Sequence, residues 1–558
     1  MNISPLEKNP CHTRQSWFLG FRCAATMVLS MVLGTLAMHW RLPESLRGTP
    51  FEKRVTDSGD MDQAFVVDRP AMLNGVLQQL ELANSLSFTV PIDHTDPTNP
   101  ANITLRYWIV DSAWNKSSEA PLILYMPDEA TGGSPENRAA SLAAKFGGVE
   151  VHTEHRFFGD TLPEGGLSDE NLMFLTVEQN LEDVAKLAKH VKKQLNLTGP
   201  VVATGCSYAG ASACWLRTAY PDVIDASISG SGPIKAKLDF FEYDQSISRT
   251  LGALSGECQE QMSLTMKAFA EVWEVSNSSR DALKMSFLMI SSVGTPMGDV
   301  DFLYMLADSV AYSVQYGDSK AVCAALDALS PNASTIERTS SWAHFVLSAY
   351  GTTWATSEWY DSEWMRDVAR AGSGRAWYWM TCSQLGFLQT VPHSEPPTRM
   401  RPRTLTPELL QQQCQYIFPK ANRLEKNIEE FNERYGGDKP QTKNASRVIF
   451  LTYADDPWKP LQPTVALSAS LPMLLADSAG DADAAGELRS CAHCGAGCSV
   501  ASLQKLNAGV ADQLEGWFGE GSPTTDKTAN GLRKRLSAVA ADDSGVLLPS
   551  HGNIVPQK

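Results

Sequence analysis

The chain has 558 residues, of which 43% are hydrophobic and 20% are charged, a composition typical of globular proteins. That balance excludes a disordered or fibrous chain, and the length is sufficient for a large core and more than one structural unit. The formal net charge is −16. It argues against nucleic acid as a partner, because no basic surface would offset repulsion from phosphate.

The first 40 residues have the organisation of a targeting segment. Lys8, Arg14 and Arg22 precede an uncharged, mostly apolar run from Cys23 to Trp40, and the run contains a small-x-small cleavage pattern at 35–37. A membrane-spanning helix needs about 20 apolar residues, so the run has borderline length. We predict a signal peptide or an uncleaved signal anchor at 1–40, with a buried helix as the alternative, and a polar connector at 41–84.

Downstream of this segment the chain has features of a secreted protein. Nine of its 11 cysteines lie beyond the leader, and an oxidising compartment would pair most of them. Because nine is odd, at least one cysteine has no partner within this set. Six N-x-Ser/Thr sequons are predicted glycan acceptors. They are Asn102, Asn115, Asn196, Asn277, Asn332 and Asn444.

From residue 85 the chain alternates between strand and helix patterns. Alternating or continuous apolar runs predict strands at Ser87–Val90, Ile103–Val110, Leu122–Met126, Val149–His152 and Pro200–Thr204. Helix patterns separate the later runs, at Asn137–Phe146 and at 176–194. Strands that alternate with helices predict an α/β fold with a mostly parallel sheet.

The middle of the chain has a different character. Residues 240–440 are mainly helical, and Val448–Tyr453 then restores the pattern of a buried strand. The simplest architecture is one α/β core in two parts, 85–239 and 441–520, interrupted by a helical cap at 240–440. Such an insertion would lie over the carboxyl edge of the sheet, where ligands bind. The polar tail at 521–558 is predicted to be disordered.

Ser207 lies in the sequence Gly-Cys-Ser-Tyr-Ala-Gly at 205–210, directly after a buried strand and before a helical segment. This is the context of a nucleophile elbow, a strained turn that presents the serine oxygen at the sheet edge. The turn also directs the Tyr208 amide at a developing oxyanion. The alternative is a chance serine in a βα turn. The pattern predicts an α/β-hydrolase fold with Ser207 as nucleophile.

A serine nucleophile needs a histidine base and an orienting carboxylate, which in this fold follow it in the order acid, then histidine. Beyond residue 453 the chain has two histidines, and His551 lies in the polar tail, which leaves His493. Asp455 and Asp456 follow the late strand and are the candidate acids. Histidines that precede the nucleophile are interpreted as structural: His94, His152 and His155.

A zinc site is the second interpretation of the segment around His493. Its cysteines, Cys491, Cys494 and Cys498, have a spacing that resembles a ligand cluster. We favour disulfides, because an oxidising compartment pairs cysteines and His493 fits the role of base. No metal and no cofactor is predicted.

Several motifs, taken in order, resemble the serine peptidase family that includes prolylcarboxypeptidase, dipeptidyl peptidase II and thymus-specific serine protease. The resemblance covers about residues 85–520. The motifs are EHRFFGD at 154–160, LTVEQNLED at 175–183, GCSYAG at 205–210, VQYG at 314–317, WMTC at 379–382, DPW at 456–458 and AHC at 492–494.

The resemblance implies a triad of Ser207, Asp456 and His493, since the acid of that family immediately precedes Pro-Trp. It implies an exopeptidase that cleaves after proline, of the carboxypeptidase or dipeptidyl-peptidase type, in lysosomes, vacuoles or outside the cell. Trp458, and after it Phe387, match the wall of a proline pocket, with plain core packing as the alternative. Apolar walls suit a pyrrolidine ring that has no N–H. Two disulfides are also expected, Cys258–Cys323 and Cys382–Cys414.

The sequence departs from that family at 126–129, where Met-Pro-Asp-Glu replaces a Gly-Gly-Glu-Gly segment. This loop commonly helps to form the oxyanion hole, so the departure bears on substrate choice and rate. Two other functions stay open, a non-catalytic binding protein on a hydrolase scaffold and a secreted esterase or lipase. The expected partners are peptides that contain proline, and a homodimer and a membrane anchor at the N-terminus stay open.

Overall fold

The structure is a computed structural model that describes residues 85–129, 137–392, 399–477 and 490–519. The leader, the connector up to residue 84 and the tail from 521 lie outside the described residues. Within them, no helix is both long enough and apolar enough to cross a bilayer.

A single large sheet organises the core, and a two-stranded sheet accompanies it. The strands are β1 (Leu86–Pro91), β2 (Asn102–Val110), β3 (Leu122–Tyr125), β4 (Val149–Thr153), β5 (Val201–Cys206), β6 (Ala226–Gly230), β7 (Lys237–Asp239), β8 (Gly386–Leu388), β9 (Val448–Tyr453) and β10 (Met473–Ala476). The large sheet has the order β1-β2-β4-β3-β5-β6-β9-β10. β2 is antiparallel to both neighbours, and all other pairs from β4 to β10 are parallel. The α/β-hydrolase fold predicted from the sequence is therefore confirmed.

The central strands are continuous apolar runs because helices cover both faces of the sheet. Every residue of β3 and β9 is buried. The helices in the first part of the core are α1 (Asn137–Phe146), α2 (Asp169–Leu172), α3 (Val177–Gln194) and α4 (Tyr208–Ala219). The start of α3 is fixed by Thr176, whose side chain accepts a hydrogen bond from the Gln179 amide, as an N-cap should.

The helical insertion lies between β6 and β9, as the sequence predicted. Its helices are α5 (Glu242–Leu254), α6 (Gly256–Trp273), α7 (Asn277–Ser286), α8 (Gly298–Gln315), α9 (Ser319–Asp327), α10 (Thr335–Ala349), α11 (Ser362–Arg366), α12 (Ser373–Met380), α13 (Pro407–Ile417) and α14 (Leu424–Tyr435). After β10, helix α15 (Val500–Gly519) packs on the sheet.

Two disulfides cross-link the insertion. Cys258 in α6 is bonded to Cys323 in α9, and Cys382 in a π-helical turn at Thr381–Leu385 is bonded to Cys414 in α13. These are the two pairs that the family resemblance implied. Each closes a loop within the insertion, which restricts the unfolded chain.

Candidate active site

Ser207 occupies a strained turn between β5 and α4. Its φ of 59° and ψ of −132° lie outside the regions that non-glycine residues favour. The Ser207 amide donates a hydrogen bond to the Gly230 carbonyl at 2.9 Å. A Cβ at Gly210 would lie 2.3 Å from that same carbonyl oxygen, and one at Gly205 would lie 2.6 Å from the Ala209 backbone. Glycine is therefore required at both positions. We call residues 205–210 the nucleophile turn.

Asp456 and His493 form a buried pair at the carboxyl edge of the sheet. The distance between His493 Nδ1 and Asp456 Oδ1 is 2.9 Å, and both side chains are at most 2% exposed. Asp456 Oδ1 also accepts from the Trp458 amide, and Oδ2 accepts from Gln462 Nε2, each at 2.9 Å. Burial alone would raise the pKa of Asp456, but the His493 charge and these hydrogen bonds outweigh it and lower that pKa.

The other nitrogen of His493 is available for proton transfer. Its Nε2 atom is buried and has no hydrogen-bond partner among the described residues. Because Nδ1 is occupied by Asp456, a neutral ring would carry its proton on Nδ1 and its lone pair on Nε2. Ser207 is partly exposed, and no hydrogen bond joins its oxygen to His493 in the described structure. Such bonds often tighten only when substrate binds.

His493 lies on residues 490–499, which we call the histidine loop. Asp455 holds the start of this loop, because its Oδ2 accepts from the Cys491 amide at 2.8 Å. The Cys494 amide donates to Ser231 Oγ at 2.9 Å. Asp455 and Asp456 thus divide two tasks between them, since the first holds the loop and the second contacts the imidazole.

Disulfides involve all three cysteines of the histidine loop. Cys491 is bonded to Cys498, and Cys494 is bonded to Cys206 of the nucleophile turn. These sulfurs are not free thiolates that could ligate zinc, so the zinc interpretation is wrong for this segment. The odd cysteine is Cys214, which is buried in α4 and free.

Aromatic side chains line the site beside His493. The Trp458 ring centroid is 6.3 Å from that of His493, and the Phe387 ring meets Trp458 at 85° with centroids 5.5 Å apart. Phe240 and Tyr243 pack against other parts of Trp458 at 5.3 and 5.5 Å. The structure therefore brings the two predicted wall residues into contact with each other, and Trp458 lies beside the imidazole. Phe387 adopts φ of 59°, which is uncommon for a bulky residue.

Gln315 orients Trp458 from the insertion, a role that the sequence did not reveal. Its Oε1 accepts from Trp458 Nε1 at 2.9 Å and from the Tyr243 hydroxyl at 2.6 Å. Gln315 is the last residue of α8, in the VQYG motif. The motif was a signal that this segment matters, but it did not identify the contact.

The EHRFFGD segment contacts the nucleophile turn through the side chain of Tyr208. His155 Nε2 lies 2.9 Å from the Tyr208 hydroxyl, and burial lowers the pKa of His155 to about 4. Next to it, buried Arg156 holds both carboxylate oxygens of Asp183 in α3. His155 is therefore a structural histidine, as predicted, but one that positions the residue after Ser207.

Glu129 follows β3 in the segment that departs from the family motif. It is partly buried, and its Oε2 atom is closed off from solvent without a hydrogen-bond partner among the described residues. Burial and the charge of Asp128 raise the pKa of Glu129 to about 7, against an opposing effect of His493. A carboxyl group that interacts with His493 is thus present beside the predicted triad.

All six sequon asparagines are exposed, so none is sterically excluded from carrying a glycan. They lie on different elements, from the first residue of β2 to the turn before β9. Glycosylation at these positions stays a prediction.

Comparison with known proteins identifies the family of this chain. The profile of the family described as serine carboxypeptidase S28 matches residues 90–491. Human thymus-specific serine protease is 30% identical over 400 residues, which cover 66% of this chain and 75% of that protein. The mouse protein of the same name is 26% identical over 415 residues, which cover 70% of this chain and 80% of that protein. Human lysosomal Pro-X carboxypeptidase is 32% identical over 157 residues, which cover 27% of this chain and 32% of that protein. This chain therefore belongs to the serine carboxypeptidase S28 family of serine-type peptidases.

Proposed function

We propose that this protein is a serine exopeptidase that hydrolyses peptide bonds after proline, with Ser207, His493 and Asp456 as its triad. The observation that carries the proposal is the buried Asp456–His493 pair. In this pair, His493 Nε2 has no hydrogen-bond partner among the described residues, and it lies beside the strained turn at Ser207 and the aromatic ring of Trp458. What supports a catalytic role is that this unpartnered nitrogen belongs to a histidine whose other nitrogen is held by a buried carboxylate.

In the first step, His493 Nε2 takes the Ser207 hydroxyl proton while Oγ attacks the carbonyl carbon of the scissile bond. Asp456 holds the Nδ1–H tautomer and stabilises the imidazolium that forms. The Tyr208 amide, at the N-terminus of α4, is positioned to donate to the oxyanion. Collapse of the intermediate moves the proton from Nε2 to the leaving amine and leaves an acyl-enzyme on Ser207.

In the second step, water replaces the leaving amine. His493 Nε2 takes a proton from that water as its oxygen attacks the ester carbon, and returns the proton to Ser207 Oγ when the ester bond breaks. The reaction therefore begins and ends with neutral His493. Any condition that keeps His493 protonated should slow both steps.

Trp458 and Phe387 support the preference for proline. Trp458 is partly exposed and packs on Phe387, so its ring offers an apolar surface to a pyrrolidine ring, which has no N–H that needs an acceptor. The name of the human relative, Pro-X carboxypeptidase, agrees with this preference. An esterase or lipase is not favoured by any contact in the described site.

The secretory pathway is the proposed location, with an extracellular or lysosomal destination. Four disulfides among the described residues fit an oxidising compartment, and the sequons are exposed. The relatives include proteins named as extracellular and as lysosomal.

The direct test is covalent labelling by a fluorophosphonate together with hydrolysis of a chromogenic prolyl peptide. Ser207→Ala should lose the label and lower kcat by about 10⁴-fold or more, with an unchanged circular dichroism spectrum. Ser227→Ala is the matched control, because its buried hydroxyl in β6 has no hydrogen-bond partner within the described part of the chain. Normal turnover by Ser207→Ala would reject the proposed nucleophile.

A further inference from the structure

The Cys206–Cys494 disulfide joins the two catalytic segments at the residues that flank the chemistry. Cys206 immediately precedes Ser207, and Cys494 immediately follows His493. The bond spans 288 residues of sequence and holds the two Cα atoms 5.8 Å apart. No hydrogen bond links the Ser207 and His493 side chains in the described structure, so this disulfide is the direct connection between nucleophile turn and histidine loop.

The histidine loop needs such a connection because little regular structure holds it. It contains only a short 3₁₀ turn, His493–Gly495, in which Cys494 has φ of 58° and Gly495 has φ of 84°. The Asp455 and Ser231 contacts fix the loop to the ends of β9 and β6. The other disulfide of the loop, Cys491–Cys498, closes the loop on itself and makes no link to the nucleophile turn.

Accessibility distinguishes this disulfide from the other three. Cys206 and Cys494 are both partly exposed, whereas each of the other bonds has at least one buried cysteine. Thiol–disulfide exchange requires that the attacking thiolate reach a sulfur atom. A small dithiol should therefore open Cys206–Cys494 before the disulfides of the insertion.

We propose that Cys206–Cys494 is a reducible positioning link for the peptidase site, which rests on the function proposed above. When the bond is intact, it fixes the distance between the chain at Ser207 and the chain at His493. A dithiol opens it by supplying two electrons and two protons, which convert the two half-cystines to thiols while the dithiol becomes a cyclic disulfide. The opened enzyme stays folded but reacts slowly.

The expected effect falls on kcat. Misplacement of a reacting group by about 1 Å costs on the order of 10²-fold in rate, so kcat should fall by about 10- to 100-fold. KM should change little, because Trp458 and Phe387 are not held by this bond. A general loss of structure would change both quantities.

The experiment uses the full oxidised protein and graded dithiothreitol under native conditions. Alkylation and peptide mapping identify which cysteines open, and buried Cys214 reports any global unfolding. We expect kcat to fall in step with alkylation of Cys206 and Cys494, and to recover on reoxidation. Cys206→Ala/Cys494→Ala should have the low kcat without reductant. The control Cys258→Ala/Cys323→Ala should keep a normal kcat and still lose it on reduction.

Two failures are distinguishable. If kcat is unchanged when mapping shows Cys206 and Cys494 open, the positioning role is rejected and the peptidase proposal stands. If the oxidised protein neither takes a fluorophosphonate on Ser207 nor hydrolyses prolyl peptides, the proposed function is rejected, and the positioning role with it. Should the double alanine variant not fold, reduction and reoxidation of the unmodified protein still decide.

Discussion

Replacing Asp301 by asparagine should remove one large contribution to the pH dependence of this protein's stability. Asp301 lies in α8 with 1% of its surface exposed. Its carboxyl accepts hydrogen bonds from the Ser362 amide and hydroxyl and from Gln413 Nε2. Burial, and secondarily the charge of Asp361, outweigh these bonds and raise the pKa of Asp301 from 3.8 to about 7.

The direction of this pH effect follows from the linkage between protonation and folding. Below about pH 4, Asp301 is protonated in both the folded and the unfolded chain, and its full contribution to stability is present. As the pH rises above 3.8, ionisation of Asp301 lowers the free energy of the unfolded chain. In the folded chain Asp301 does not ionise until about pH 7. Since each pH unit of difference is 1.36 kcal/mol, ionisation should cost the folded state about 4 kcal/mol between pH 4 and pH 7. The contribution of Asp301 to stability should therefore be greater in acid.

The assay is chemical unfolding of the wild-type protein and of Asp301→Asn from pH 4 to pH 8. Subtracting the two curves cancels the other titrating groups that the proteins share. Asparagine resembles the protonated acid. The free energy of unfolding of the variant should therefore rise, relative to that of the wild type, by up to about 4 kcal/mol as the pH rises to 8. Asp299→Asn removes a partly exposed carboxyl from the same helix, one that pairs with Arg280 and Lys284, and should not reproduce the curve. A flat difference for Asp301→Asn would refute the reasoning.

Two further predictions concern the site. Trp458→Ala should lower kcat/KM for peptides with proline at the cleaved bond by about 10- to 100-fold, with a smaller loss for the matching alanine peptides. Equal losses, with a lower melting temperature, would identify Trp458 as a packing residue only. Glu129→Gln should abolish a limb of the kcat/KM profile near pH 7, because burial raises the pKa of Glu129 to about 7. On this limb, kcat/KM should fall towards acidic pH if the enzyme recognises the free amine of its substrate. It should rise towards acidic pH if the enzyme recognises the substrate carboxylate. Superimposable profiles of wild type and variant would contradict the role.

Local pattern and chain order were sufficient to predict the fold and the candidate nucleophile and base. The buried strands of the sheet have almost no alternative, because runs such as Leu122–Tyr125 are apolar on both faces. The strand–turn–helix context located Ser207, and elimination then left His493 as the histidine that could follow it. The resemblance added the choice between Asp455 and Asp456, and the structure shows that both are used, one for the loop and one for the imidazole.

Contacts between distant segments could not be predicted in the same way. Nothing in the sequence around Cys206 indicates that its partner lies 288 residues away, because disulfide connectivity depends on the folded path of the chain. The contact between Gln315 and Trp458 has the same origin, since it joins the end of an insertion helix to the segment after β9. Glu129 was visible only as a departure from a motif, and its burial next to His493 is a tertiary property.

In the proposed peptidase, the short distance along the chain from Asp456 to Trp458 would couple substrate recognition to catalysis. The Trp458 amide donates to the same Asp456 oxygen that accepts from His493 Nδ1, while its indole contacts Phe387 and is held by Gln315. In the proposed peptidase, a pyrrolidine ring that packs on the indole would contact the residue whose amide also donates to the proposed catalytic carboxylate. Because the insertion supplies Gln315, Tyr243 and Phe387, it controls the wall of the pocket, whereas the sheet fixes Ser207 and Asp456. Variation within the insertion could thus change the preferred substrate while the elements that carry out the chemistry stay in place.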